Sequence, residues 1–360
     1  MLPSLLLMLS VSWVVLSFVS PVTSYVFSSS MPPRFQWVNN DGYCGEVSTI
    51  AAGLKYGQYF SQYDLRDIAT GSQLTEYLVG VNDEAAAQKI GLVSTEFDWK
   101  ENTGNTENYL AWIKKMTRKG YAVTMTVYMN YYLFYGISLP TAGDAEYDHI
   151  VSVSSIESNY DDDLYHDNDI LIFSDHGLWS PRVTGPVYLF NSSFQSIIGT
   201  REQSNSKTGT VYTLPLSSKT TCSNYGIAHS GVIDSNGDTV PVHITTSVNF
   251  ESPEIVNKSE KRPEAMKLEL QMTISGLQQG VQYNIYRYDD ERNVPTSKFN
   301  GHYSQSVEKM EIVCCNSTFG TSFGTIHGVG FQNDIHSFIF NRSIQSSDKV
   351  IYRVVPASAP

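Results

Sequence analysis

Positive charge is scarce in this 360-residue chain and wholly absent before Arg34: Lys and Arg together number 24 against 36 Asp and Glu, for a net charge of −12. That balance excludes a nucleic-acid surface and a polybasic membrane binder, which need clustered cations. Cysteine is scarcer still, at four residues: Cys44, Cys222, Cys314 and Cys315. No close Cys/His pairs occur, which excludes a structural zinc site. Glycine-rich phosphate loops, serine-nucleophile elbows and metal-binding helix motifs are missing too, so no cofactor and no metal is expected. Beyond the first 24 residues there is no long apolar run, and no stable membrane span is expected. What remains is a chain long enough to bury one substantial core or two.

The leader differs from everything after it. Leu5 to Val19 is apolar with scattered serines, and Val22-Thr23-Ser24 ends in small residues suited to signal-peptidase cleavage. The run is short for a membrane span and reads as a secretory signal over 1–24, with a signal anchor as the alternative. The missing basic n-region is its one irregular feature. N-x-Ser/Thr sequons at Asn191, Asn257, Asn316 and Asn341 fit the same route. A secreted, lumenal or vacuolar protein is expected.

Periodicity divides the rest in two. Val47 to Tyr59 is apolar at helical spacing, Asp83 to Ile90 forms a short helix ending at Gly91, and Asn108 to Lys119 is a helix stopped by Gly120. Strands follow at Tyr121 to Tyr128, His149 to Ile156, Asp169 to Asp175 and Val187 to Asn191. Helices first and antiparallel strands after describe an α+β domain over 31–215. From 222 to 356 helical spacing disappears. Val240 to Phe250, Leu268 to Ile274, Val281 to Ile285 and Val350 to Val354 alternate, the pattern of an all-β sandwich. Gly276 to Tyr283 resembles the tyrosine corner of fibronectin type III domains, in which a Tyr hydroxyl ties down the preceding loop. The polar stretch Arg201 to Thr210 reads as exposed boundary.

The chemistry centres on Cys44, which follows the turn-forming Asn39-Asn40-Asp41-Gly42 and opens a helix. There the helix dipole and the first-turn amides favour thiolate over thiol. A thiolate needs a base that holds its charge, and His149, opening an alternating strand, is the best placed of the eight histidines. Asp148 adjoins it and should point away, so it is a poor anchor. Asp175, closing the next apolar strand, is the better one, with a turn role as its bland alternative; His176 reads as structural. Gln36 lies just ahead of the turn and suits an oxyanion hole shared with the Cys44 amide, with Asn40 as competitor. The other reading of Cys44 is a disulfide to Cys222; otherwise Cys222 bridges Cys314 or Cys315. Asp161, Asp162, Asp163, Asp167 and Asp169 suit a solvated hairpin loop better than a calcium site, lacking EF-hand spacing. Tyr128 to Tyr135 is aromatic-dense and lines either a cleft or the core.

Gln36, Gly42-Tyr43-Cys44-Gly45, Asp148-His149-Ile150-Val151 and Ser174-Asp175-His176-Gly177 resemble the papain-like cysteine peptidase superfamily, most of all its bacteriocin-processing-peptidase-like group. The resemblance covers about 31–195. It implies a glutamine oxyanion hole at Gln36, a nucleophile at Cys44, a base at His149 and an orienting acid at Asp175. The Cys-Gly-x-Cys-Trp run of papain is missing, so cathepsin-type specificity does not carry over. The expected activity is a secreted cysteine hydrolase acting on a peptide or protein substrate, with the C-terminal domain binding a protein or surface. An acyl transferase with the same triad, and a non-catalytic binding or adhesion protein on a papain-like scaffold, are the alternatives.

Overall fold

The computed structural model describes residues 24–34, 43–70, 83–97, 106–130, 148–175, 189–199, 211–214, 224–246, 265–296, 302–314, 327–332 and 336–357. Gln36, Asn40, Gly42, His176, Cys222, Cys315, Asn257, Asn316, the leader, Tyr131 to Tyr135 and Arg201 to Thr210 lie outside these residues. The architecture is mostly antiparallel sheet with few helices. Among the described residues no helix is long and apolar enough to cross a membrane.

Helix α1 (Cys44–Lys55) is the centre of the molecule, with every residue from Cys44 to Leu54 buried. All-round burial needs an element without a charged face. The segment Ser48-Thr49-Ile50-Ala51-Ala52-Gly53-Leu54 supplies that, and its small residues let neighbours approach. The helix ends at Gly57, whose φ is +76° and whose hypothetical Cβ would lie 2.8 Å from the Val242 Cβ. Only glycine serves there, because both the left-handed backbone and the close neighbour exclude a side chain. The chain then turns into strand β2 (Gln58–Tyr59), so the helix expected over Val47 to Tyr59 is replaced at its end by a strand. Helices α2 (Gln62–Thr70), α3 (Asp83–Lys89) and α4 (Thr106–Arg118) follow. At the end of α4, Gly120 N–H donates to Thr117 O at 2.8 Å and Tyr121 N–H to Met116 O at 3.1 Å. This is a Schellman cap built on the Gly120 stop signal.

The first sheet runs β3 (Leu92–Glu96), β9 (Gly226–Val232), β4 (Ala122–Met129), β5 (Asp148–Ser158), β6 (Ile170–Ser174), β7 (Leu189–Ser193), with β1 (Tyr25–Ser28) on β5 and β8 (Tyr212–Thr213) on β4. Tyr109, Leu110, Ile113 and Met116 of α4 bury one stripe against Val123, Met125 and Val127 of β4. Helix α1 packs against β4 and β5 as well as against β10 (Val242–Thr246) of the C-terminal part. Lys114 of α4 is wholly buried and pairs with Asp169 at 2.9 Å and Asp162 at 3.2 Å. Arg118 takes Asp161 and Asp163. The acidic hairpin between β5 and β6 is therefore occupied by two cations of α4. Among the described residues no group of His, Cys, Asp and Glu is arranged to hold a metal ion.

Two four-stranded antiparallel sheets complete the fold. One runs β10 (Val242–Thr246), β11 (Lys267–Ile274), β15 (Ser337–Gln345), β14 (His327–Gln332); the other runs β13 (Glu308–Val313), β12 (Gln282–Tyr288), β16 (Val350–Pro356), β2. Leu268, Leu270, Met272 and Ile274 alternate into the core as their spacing requires. The Gln278 N–H donates to the Tyr283 hydroxyl oxygen at 2.9 Å, so the hydroxyl does hold the loop before its strand.

Two strands cross the expected division at 215–222. Gly226 to Val232, beyond it, inserts as β9 between β3 and β4. Gln58 and Tyr59, before it, pair with Ile351 and Val350 of β16. One core cluster joins Ile50, Leu54, Tyr59, Phe60 and Leu65 to Val242, Leu270, Ile285 and Val354. Alternation identifies a strand and its apolar face, but not the sheet it enters.

Candidate active site

Val47 N–H donates to Tyr43 O at 3.0 Å, the first hydrogen bond of α1, which sets Cys44 in the first turn. First-turn amides have no carbonyl within their own helix, and the dipole is positive at this end. The turn is held from outside by α2. The Arg66 guanidinium stacks 3.4 Å from the Tyr43 ring centroid, and its Nε donates to Glu46 Oε1 at 2.6 Å, both side chains being buried. Cys44 is buried and its thiol is free, which removes the Cys44–Cys222 pairing from consideration. Cys314 is disulfide-bonded, to a cysteine outside the described residues.

His149 enters from β5, opposite Val127 of β4. Ser152 pairs with Ser174, so one step further Asp175 stands level with Val151, two residues from His149 and on the same face. Diagonal neighbours of this kind are within side-chain reach. His149 Nε2 donates to Asp175 Oδ1 at 2.9 Å. Cys44 lies near enough to His149 to act on its titration, and with Nε2 on Asp175 the ring nitrogen that remains for the sulfur is Nδ1. Asp175 Oδ2 accepts from the Tyr212 hydroxyl at 2.7 Å. Cys44, His149, Asp175 and Tyr212 are 5%, 3%, 0% and 6% exposed, so this chain of polar groups is nearly dry.

Burial alone would drive the proton off His149. The Asp175 carboxylate, by charge and hydrogen bond, and then Cys44 outweigh that penalty and push the imidazole pKa up to about 10. His229, on β9 opposite Ala122, has equal burial without such partners. Neither of its ring nitrogens is hydrogen-bonded, and burial holds its pKa down to about 4. The same residue type is thus set to opposite protonation states by the presence or absence of a carboxylate. A folded-state pKa below the unfolded value of about 6.5 means the unfolded chain binds the proton first as pH falls. His229 therefore costs nothing above pH 6.5 and lowers stability as pH falls towards 4. His229→Leu should reduce the loss of unfolding free energy between pH 7 and pH 4.5 by about 2–3 kcal/mol, read from urea melts at both pH values.

Of the four expected site residues, Cys44, His149 and Asp175 are brought together, while Gln36 lies outside the described residues. Tyr212, Glu46 and Arg66 escaped the sequence reading. Tyr212 sits 37 residues from its partner Asp175, on a strand of two residues, and no local pattern marks it. Asn191 is exposed on β7, whereas Asn341 is half-buried within its sheet, between Gln271 and His327. No family model, no curated protein and no solved structure matches the chain.

Proposed function

We propose that this protein is a secreted cysteine-dependent hydrolase that cleaves a peptide or amide bond through a thioester on Cys44. In this proposal the helix α1 and the first sheet form a papain-like domain, and the two C-terminal sheets form a β-sandwich that contacts substrate or partner. The observation that carries it is the buried His149–Asp175 hydrogen bond beside the free, buried thiol of Cys44 in the first turn of α1, with the imidazole pKa pushed up by Asp175 and Cys44. A protonated imidazole against a free thiol at a helix N-terminus is the arrangement that stabilises thiolate.

The steps follow from it. The Cys44 sulfur attacks the carbonyl carbon, and the oxyanion forms beside the first-turn amides, with Gln36 proposed as second donor. His149 passes its proton to the leaving nitrogen as the C–N bond breaks, leaving an acyl thioester. Neutral His149 then takes a proton from water as the water oxygen attacks the thioester. The acid product departs, the sulfur is released, and the imidazole keeps that proton. Asp175 holds Nε2–H throughout, so that Nδ1 faces the sulfur. The secretory route is proposed from the leader, the sequons and the Cys314 disulfide, since disulfides persist in oxidising compartments.

The test is the rate of Cys44 alkylation by iodoacetamide against pH, followed by mass spectrometry on the full chain, with Cys44→Ala as the blank. Fast labelling that persists well below the free-thiol pKa of about 8.5 supports the enzyme. Labelling with the pH dependence of an ordinary thiol removes it, and a non-catalytic binding protein takes its place.

A further inference from the structure

We propose that Tyr212 is a positioning residue of this site, acting on Cys44 through Asp175 and His149; the inference rests on the proposed hydrolase. Asp175 is wholly buried and uses its two oxygens on different partners: Oδ1 accepts from His149 Nε2 at 2.9 Å, and Oδ2 from the Tyr212 hydroxyl at 2.7 Å. A buried carboxylate held by one partner can rotate about its Cβ–Cγ bond and can take up a proton. A second donor opposes both, because it fixes the carboxyl plane and stabilises only the charged form. The tyrosine is itself rigidly supplied. Its strand pairs Tyr212 with Met129, and its ring packs edge-on to Phe173 at 5.0 Å and tilted to Phe190 at 5.2 Å. Phe173 is on β6, two residues before Asp175, which follows the last residue of that strand. One ring therefore packs on the strand that leads into the acid while its hydroxyl donates to Asp175 Oδ2. The separation of the two contacts, hydroxyl from ring, makes the role testable.

Tyr212→Phe keeps the ring and removes the donor. Asp175 then takes a proton at higher pH, and the imidazolium loses its counter-charge there. The acid limb of the Cys44 alkylation profile should move up by about one pH unit, and the plateau rate should fall about three- to tenfold. The thermal midpoint should change little, because packing is retained. A merely structural tyrosine would leave the pH profile in place. In an Asp175→Asn background, which has no carboxylate to hold, the Tyr212→Phe shift of the limb should vanish. 3-Fluorotyrosine at 212, a stronger donor of nearly the same shape, should move the limb down, and it serves as the second variant if the phenylalanine protein folds poorly. If wild type labels fast at low pH and both variants follow its curve, the positioning role is overturned while the hydrolase stands. If wild type itself labels as an ordinary thiol, the hydrolase and the positioning role fall together.

Discussion

Alanine at position 149 is expected to lower the rate of Cys44 acylation by about 10²–10⁴-fold, the usual contribution of a positioned acid–base group. In the proposed hydrolase the imidazole has two duties, and alanine removes both. It supplies the positive charge that holds the thiolate, and it delivers the proton to the leaving nitrogen. The acylation rate is read at pH 6 with a peptidyl nitroanilide, and the loss of the charge partner separately as the alkylation rate with iodoacetamide, on protein checked for its near-UV spectrum. The control matters because His149 also neutralises the buried Asp175. Without it the buried carboxylate loses its charged neighbour, and loosened structure would then add to the loss. Asp175→Asn addresses this: it retains an acceptor for His149 Nε2 but no charge, and it should fall between wild type and His149→Ala. An alanine variant that alkylates at pH 6 as fast as wild type would mean that Cys44 and His149 are neighbours without shared chemistry.

A chain ended at Thr221 is expected to lose cooperative folding altogether. It removes β9 from between β3 and β4, so β3 is cut off from the sheet and β4 loses one neighbour. It also strips the cover from Ile50, Leu54, Tyr59, Phe60 and Leu65, which share one core with the C-terminal sheets. Each large apolar side chain returned to water costs roughly 1.5–3 kcal/mol. Five such residues already reach the whole stability of an ordinary domain, about 5–15 kcal/mol. The complementary fragment, 222–360, is expected to fail as well, because β16 loses β2 and the core loses its helical side. Calorimetry should show no sharp transition for either fragment alone, and co-expression of the two should restore both the transition and low-pH labelling of Cys44. A soluble N-terminal fragment with a sharp transition would mean that the division at 215–222 separates independent domains.

Helix α1 presents Cys44 at one end and, at the other, lies against Val242 through Gly57. Its position relative to β5, and so the distance from sulfur to imidazole, depends on packing from both sides.

Much of the site was legible in the chain. Cys44 after an Asn/Asp/Gly turn and before an apolar helix announces a thiol at a helix start, because turn chemistry and helical spacing are local. His149 and Asp175 follow from strand ends, since alternation identifies the strand and the residue that closes it. Gly120 ends α4 where its lack of a side chain allows a left-handed residue. What the sequence determined by itself was the start of α1 at Cys44, the stop of α4 at Gly120, the apolar face of the alternating strands and the order of Cys44, His149 and Asp175. Tertiary structure alone decided which elements meet: β9 within the first sheet, β2 on β16, Arg66 on Tyr43, and Tyr212 on Asp175 across 37 residues. The reason is range. Periodicity is set by backbone geometry over a few residues. Partner choice depends on sheet order and register, whose energy is gained only when distant segments bury their faces together.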